Sequence, residues 1–157
     1  GDFCIMEVFR LARKKYPIEL SGKGASISGA RWNSKGTEII YCAQNRALAM
    51  AEVLVHLSLA TLPNDFVMLT IDIPDNIFIE ALDFKKLNID WNVFPCTFET
   101  PLLGDDFIRR NEACVLKVPS AVVKGDFNFL INPYHADFYK IKIIEQVDFP
   151  FDKRIFK

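Results

Sequence analysis

The feature of the sequence that most restricts the fold is a change of pattern between residues 38 and 63. Glu38–Ala43 (EIIYCA) is rich in β-branched and aromatic residues, which predicts a strand. Asn45 can cap a helix, and the apolar pattern extends that helix from Arg46 to Ala60, before Pro63 ends it. The chain therefore contains a strand, a turn and a helix in direct succession.

This apolar run predicts a buried helix and not a membrane span. Ala47–Pro63 is short for a bilayer crossing, and it carries Glu52 and His56 in its middle. We therefore expect no membrane association.

The other segments predict one α+β domain with mostly antiparallel strands and packed helices. The chain has 157 residues, half of them hydrophobic, with no repeat or linker, which fits a single core. Glycines interrupt Leu20–Ser34, which predicts a loop, and Thr100–Asn111 has acids early and arginines late, which predicts a helix despite Gly104. Further strands are predicted at Met6–Ala12, Phe66–Ile73, Asn76–Asp83, Ala113–Val118 and Phe138–Val147. We place the domain at residues 6–157 and regard residues 1–5 as an added or extended segment.

Charge and cysteine content exclude several classes of function. Lysine and arginine number 19 against 20 acids, so the net charge of −1 gives no basic field for direct nucleic-acid binding. The four cysteines, Cys4, Cys42, Cys96 and Cys114, include no C-x-x-C pair, and two histidines are too few for an ordinary catalytic metal site. We expect free or buried thiols, no metal and, without a signal-peptide pattern, a cytoplasmic protein.

The segment around Arg31 is a candidate phosphate-binding loop. Gly29 lets backbone amides approach a ligand, Arg31 offers a planar fork of donors, and Trp32 offers a stacking surface. The alternative is a surface turn with a paired arginine and a core tryptophan.

Glu52 is a candidate catalytic acid. It lies in a helix whose neighbours are nearly all apolar, where an acid is usually paired, exposed or functional. His56 follows one turn later and could hydrogen-bond Glu52. The alternative is a Glu–His pair that faces solvent.

Three further positions are candidate site residues that could instead have purely structural roles. Tyr41 ends the strand before the helix and could meet Arg31 and Glu52, although most strand tyrosines belong to the core. Ser120 follows a proline and could be only a turn former. Asn128–His135, which includes Asn132, resembles a loop with an Asx turn.

Four separated strings together resemble the RES domain family. They are GARWNSKG at 29–36, IIYCAQNRALAMAEVLVHL at 39–57, LGDDFIRRN at 103–111 and VPSAVVKGDFNFLINPYHADF at 118–138. RES proteins are named for an Arg, a Glu and a Ser, which match Arg31, Glu52 and Ser120, with Tyr41 as a further matching aromatic. A proline often stands where this chain has Ser34.

The resemblance implies a bacterial toxin of the Xre-RES toxin–antitoxin class with an ADP-ribosyltransferase-like fold. The expected partner is an Xre-type helix-turn-helix antitoxin in a hetero-oligomer, and the expected substrate is NAD+, with no resident cofactor. On this basis Glu52 would stabilise a positively charged ribose, Arg31 would neutralise the pyrophosphate, Tyr41 would pack on nicotinamide, and Ser120 would bind a phosphate or ribose oxygen. Trp32, His56 and Asn132 are further candidate NAD+ contacts.

The acceptor of the cleaved ADP-ribose stays open at this point. Family members degrade NAD+ with water or with inorganic phosphate as co-substrate, and others modify a protein by ADP-ribosylation. A non-enzymatic nucleotide-binding module is the remaining alternative.

Overall fold

The described chain forms one seven-stranded sheet with three α-helices. The computed structural model describes residues 6–94, 96 and 98–156. Its strands are β1 (Met6–Arg13), β2 (Ile40–Ala43), β3 (Phe66–Ile73), β4 (Ile79–Ala81), β5 (Val115–Pro119), β6 (Phe127–Ile131) and β7 (Lys142–Asp148). The helices are α1 (Lys23–Ser28), α2 (Arg46–Leu54) and α3 (Glu99–Arg110).

The strand order is β4-β5-β6-β2-β1-β3-β7, and every neighbouring pair is antiparallel except β4 with β5. The expected mostly antiparallel α+β architecture is therefore confirmed. In the described residues, β1 and β2 share one register pair, Phe9 with Ala43, whereas β1 is paired with β3 along its whole length. The junction between β1 and β2 is thus the weakest line of backbone pairing in the middle of the sheet.

Strand β3 illustrates how the core is built. Its residues alternate between two apolar clusters, since Leu69 and Ile71 belong to one cluster while Phe66 and Met68 belong to another. Both faces of the strand are therefore buried, which requires the nearly continuous apolar sequence FVMLTIDI.

Helices α2 and α3 cover the sheet in separate places. Asn45 caps α2 by accepting a hydrogen bond from the Leu48 backbone N–H at 2.8 Å, as predicted. Leu48 and Ala49 then pack into the cluster that contains Phe9 and Met68. Helix α3 contributes Phe107 to a third cluster with Trp32 and Leu116.

Gly104 allows α3 to lie directly on the chain that leads into β2. A Cβ atom at position 104 would stand 1.6 Å from the Trp32 carbonyl oxygen, a distance no side chain can occupy. The glycine that looked unfavourable for a helix is therefore required by close packing.

The structure corrects several predicted elements. The predicted loop Leu20–Ser34 contains α1, which buries no residue and so left no apolar periodicity to detect. Helix α2 ends at Leu54 and not at Ala60, and a separate 3-10 turn follows at Leu59–Thr61, where the side chains of Ser58 and Thr61 are hydrogen-bonded to each other.

The C-terminal half also differs from the prediction. Asn128 belongs to β6, although the segment from Asn128 to His135 was expected to be a loop. The last strand begins at Lys142, since Phe138–Lys140 is a 3-10 turn. Residues 1–5, with Cys4, lie outside the described residues.

No helix in the described ranges is long and apolar enough to cross a membrane.

Candidate active site

A cavity of about 250 Å³ opens beside the junction of β1 and β2. Its charged and hydrogen-bonding lining comes from β1, the loop before β2, β2 itself, α2, the turn after α2, and β6. These side chains are Arg10, Arg31, Tyr41, Glu52, His56 and Asn128. The structure thus brings together four of the predicted site residues, Arg31, Tyr41, Glu52 and His56, from distant parts of the sequence.

Glu52 is held by one of its two carboxylate oxygens. Its Oε1 atom accepts a hydrogen bond from Ser120 Oγ and another from Asn128 Nδ2, each at 2.7 Å. Within the described residues, Oε2 receives no hydrogen bond from the protein. Glu52 therefore presents one fixed oxygen to the protein and leaves the other for a ligand.

Ser120 differs from its expected role because its hydroxyl is fully used inside the protein. Ser120 Oγ accepts hydrogen bonds from the backbone N–H groups of Val122 and Val123, both at 3.0 Å, and donates its hydrogen to Glu52. The side chain is buried and does not line the cavity. In this structure Ser120 orients Glu52 and does not offer its hydroxyl to a phosphate or ribose oxygen.

Tyr41 fixes the turn that carries Arg31. Its hydroxyl donates to Asn33 Oδ1 at 2.6 Å and accepts from the Trp32 backbone N–H at 3.0 Å. Burial raises the pKa of Tyr41 well above its ordinary value, which keeps the hydroxyl protonated and able to donate. The aromatic ring borders the cavity, whereas the hydroxyl is already hydrogen-bonded within the turn.

Two arginines flank the cavity, and both are positioned by backbone carbonyls. Arg31 Nη1 donates to the carbonyl oxygens of Trp91 at 3.0 Å and Val93 at 2.8 Å. Arg10 Nη1 donates to the Tyr41 carbonyl oxygen at 2.7 Å, across the junction of β1 and β2. These bonds aim both guanidinium groups and leave further N–H donors for an anionic ligand. Arg10 had no distinguishing signal in the sequence, because a charged residue in a strand is ordinarily a solvent-facing one.

Two predicted ligand contacts lie elsewhere. Trp32 is 2% exposed and packs in the core beside Trp91, with ring centroids 5.9 Å apart, so it offers no open stacking surface. Asn132 is completely buried and donates through Nδ2 to Asn111 Oδ1 at 2.6 Å, away from the cavity.

His56 lines the cavity but is not hydrogen-bonded to Glu52 in the described residues. Its ring instead lies near Phe94, with ring centroids 6.3 Å apart. The expected contact between His56 and Glu52 is therefore absent, because α2 ends at Leu54 and His56 no longer follows Glu52 on the same helical face.

Asn128 is a second site residue that sequence reasoning missed. The polar residues of Asn128–His135 suggested a loop, whereas Asn128 continues directly into the apolar run Phe129–Ile131 of a strand. Extending that strand back to Asn128 would have shown a polar residue within a buried strand.

Thiol and metal chemistry have little support at this site. Cys42 borders the cavity, but burial raises its pKa to about 12, so its nucleophilic thiolate form is scarce at neutral pH. Over the described part of the chain, no three His, Cys, Asp or Glu side chains are grouped so that they could hold a metal ion.

A solved structure of another protein has the same fold. A solved structure, the MbcT–MbcA toxin–antitoxin complex of M. tuberculosis, matches with a TM-score of 0.75 and 18% identity over 94% of this chain and 86% of that chain. The α+β, ADP-ribosyltransferase-like fold implied by the resemblance is thereby confirmed.

Sequence comparison then gives the family. A family model described as the RES domain matches residues 7–152, and the chain belongs to the RES domain family. A protein named Toxin Res from Photorhabdus laumondii is 39% identical over 97% of this chain and 98% of its own length. A protein named Prs ADP-ribosylating toxin from a Sphingobium species is 34% identical over 93% of this chain and 92% of its own length.

Proposed function

We propose that this protein is a toxin that cleaves the bond between the nicotinamide nitrogen and the ribose C1′ atom of NAD+. The observation that carries the proposal is the arrangement of Glu52, which is clamped through Oε1 and open at Oε2, beside two arginines in one cavity. The names of the full-length relatives support it, because one of them is an ADP-ribosylating toxin and ADP-ribosylation breaks this same bond.

In the proposed reaction, Glu52 acts on the charge that develops during cleavage. The electron pair of the breaking bond leaves with nicotinamide as a neutral ring, and positive charge develops on the ribose. A fixed carboxylate oxygen near that charge stabilises the transition state more than the ground state. An acceptor oxygen then bonds to C1′ and loses its proton, while NAD+ is consumed as a substrate and not recycled.

The arginines would hold the anionic part of the same molecule. Arg31 and Arg10 together carry two positive charges against the single negative charge of Glu52, which favours a pyrophosphate in the cavity. The Tyr41 ring, which borders the cavity, is the proposed surface for nicotinamide.

The acceptor distinguishes two forms of this function. Water or inorganic phosphate would make the protein an NAD+-degrading toxin, whereas a side chain of a bacterial protein would make it an ADP-ribosyltransferase. The name of the Sphingobium relative, an ADP-ribosylating toxin, supports keeping protein modification as the alternative function.

A time course of NAD+ products separates these forms. The purified protein is incubated with NAD+ alone, with added phosphate, and with a bacterial lysate, and nicotinamide, ADP-ribose, ADP-ribose-1″-phosphate and labelled protein are measured. Nicotinamide release without lysate supports degradation, and release only with labelling of a protein supports transfer. Tight binding of NAD+ without any nicotinamide release would overturn the enzymatic proposal.

The proposed partner is an Xre-type helix-turn-helix antitoxin, and the proposed compartment is the cytoplasm. The matching solved structure is itself a toxin–antitoxin complex, which supports the first point. Co-expression of the neighbouring reading frame should restore both growth and NAD+ levels. Failure of the protein alone to affect growth or NAD+ would contradict the toxin assignment.

Arg31→Lys is expected to weaken NAD+ binding, raising KM about tenfold with a smaller change in kcat. Lysine keeps the positive charge but carries all its donors on one nitrogen, so it cannot hold the two backbone carbonyls and also pair with a phosphate through a planar fork. Saturation curves for nicotinamide release provide the measurement, with Arg109→Lys on the exposed side of α3 as the matched control. An unchanged KM for Arg31→Lys would place the pyrophosphate elsewhere.

A further inference from the structure

We infer that Asn128 is a positioning residue that holds the Glu52 carboxylate in the orientation needed for cleavage. Its catalytic consequence rests on the proposed function, whereas its effect on Glu52 can be measured without any substrate.

Asn128 is anchored in the sheet by backbone pairing on both sides. It lies within β6, where its backbone is paired with Ala43 of β2 on one side and Val118 of β5 on the other. Only 8% of the residue is exposed, so water has little access to replace Glu52 as the hydrogen-bond partner of its amide. The group that holds Glu52 is therefore part of the sheet and not of a loop.

The hydrogen bond runs in one direction only. The Asn128 side-chain NH₂ donates to Glu52 Oε1, and an amide nitrogen cannot accept a hydrogen in return. The second donor, Ser120, is also fixed, because its oxygen already accepts from the Val122 and Val123 backbone N–H groups. Oε1 thus accepts two hydrogen bonds from groups that cannot act as acceptors toward it. A proton bound to Glu52 would therefore have to lie on Oε2.

A neutral donor preserves the negative charge that the proposed reaction requires. An arginine or lysine at position 128 would hold Glu52 equally well but would neutralise it by forming an ion pair. The amide fixes the carboxylate without adding a charge, since one donor from β6 and one from the turn after β5 define its position, while the carboxylate keeps its net charge and Oε2 stays open to the cavity. With Ser120 alone, the carboxylate could turn about its side-chain bonds.

The test compares three variants and two readouts. Asn128→Ala removes the donor, Asn128→Asp replaces it with a second carboxylate, and Gln44→Ala serves as the matched control. Gln44 also supports β6 through a side-chain amide, since its Oε1 atom accepts from the Phe127 backbone N–H at 2.7 Å, but it does not line the cavity.

The first readout is the pH titration of the ¹³C-labelled Glu52 carboxyl group, assigned by comparison with Glu52→Gln. In Asn128→Asp we expect the titration midpoint of Glu52 to rise by at least about one pH unit relative to the unsubstituted protein, because two adjacent carboxylates resist simultaneous ionisation. The Gln44→Ala midpoint should not move. An unchanged midpoint in Asn128→Asp, or an equal shift in Gln44→Ala, would overturn the inference.

The second readout is the rate of nicotinamide release. Asn128→Ala should lower kcat about tenfold and change KM less than threefold, whereas Gln44→Ala should retain both values. If the unsubstituted protein releases no nicotinamide, the proposed function fails, and the titration alone still decides whether residue 128 adjoins the Glu52 carboxylate. A shifted titration with unchanged kcat would overturn the positioning role in catalysis.

Discussion

Glu52→Gln is expected to lower nicotinamide release at least about a hundredfold while the protein remains folded. The glutamine carbonyl oxygen can take the place of Oε1 and still accept from Ser120 and Asn128, so the internal hydrogen bonds survive. Its NH₂ group then occupies the position of Oε2, where a neutral donor replaces the negative oxygen that faces the developing ribose cation. The substitution therefore removes stabilisation of the transition state. A hundredfold lower rate corresponds to an activation free energy higher by about 2.7 kcal/mol.

The measurement is the initial rate of nicotinamide release at saturating NAD+, together with thermal unfolding of each variant. Glu145→Gln is the matched control, because Glu145 is an exposed residue of the edge strand β7 and lies outside the cavity. Near-normal turnover by folded Glu52→Gln protein would remove Glu52 from the mechanism.

Gly104→Ala is expected to destabilise the protein by at least about 3 kcal/mol or to prevent folding. The new Cβ atom would stand 1.6 Å from the Trp32 carbonyl oxygen and 2.7 Å from the Trp32 carbonyl carbon. Those atoms belong to backbone that cannot retreat easily, because the Trp32 N–H is bonded to the Tyr41 hydroxyl and its ring is buried. Helix α3 would have to move away from the core, which exposes the apolar cluster around Phe107.

Urea unfolding measures this effect, with Gly24→Ala as the control. A Cβ at Gly24 meets no atom within 4 Å, and the residue lies inside helix α1, so alanine there should change the free energy of unfolding by less than about 1 kcal/mol. Wild-type stability of Gly104→Ala would contradict the packing of α3 on residue 32.

Local patterns predicted the parts of the fold that depend on neighbouring residues. Strand β3 was predicted with its observed limits because its eight residues are almost all apolar and turn residues bound it. The start of α2 followed from Asn45, whose cap is a contact between residues three positions apart. The early end of α2 was missed, because the apolar residues beyond Leu54 continue the pattern although the helix does not.

The candidate site was predictable in its residue types and not in its connections. Residue types singled out Arg31 and Glu52, and the family resemblance joined Ser120 to them, but the hydrogen bond from Ser120 to Glu52 links residues 68 positions apart. No local pattern can contain that information. Trp32 was assigned to a ligand because its neighbour is an arginine, whereas packing against Trp91 decides its place.

The single register pair between β1 and β2 makes this junction beside the cavity easier to deform than the strand pairs on either side of it. Arg10 of β1 crosses the junction by donating a hydrogen bond to the Tyr41 carbonyl oxygen. Side chains from both strands, among them Val8 and Ile40, belong to one apolar cluster. Widening the cleft would stretch few backbone hydrogen bonds, because β1 stays paired with β3 and β2 stays paired with β6. In the proposed function, a dinucleotide would be admitted by a small change of curvature along this line.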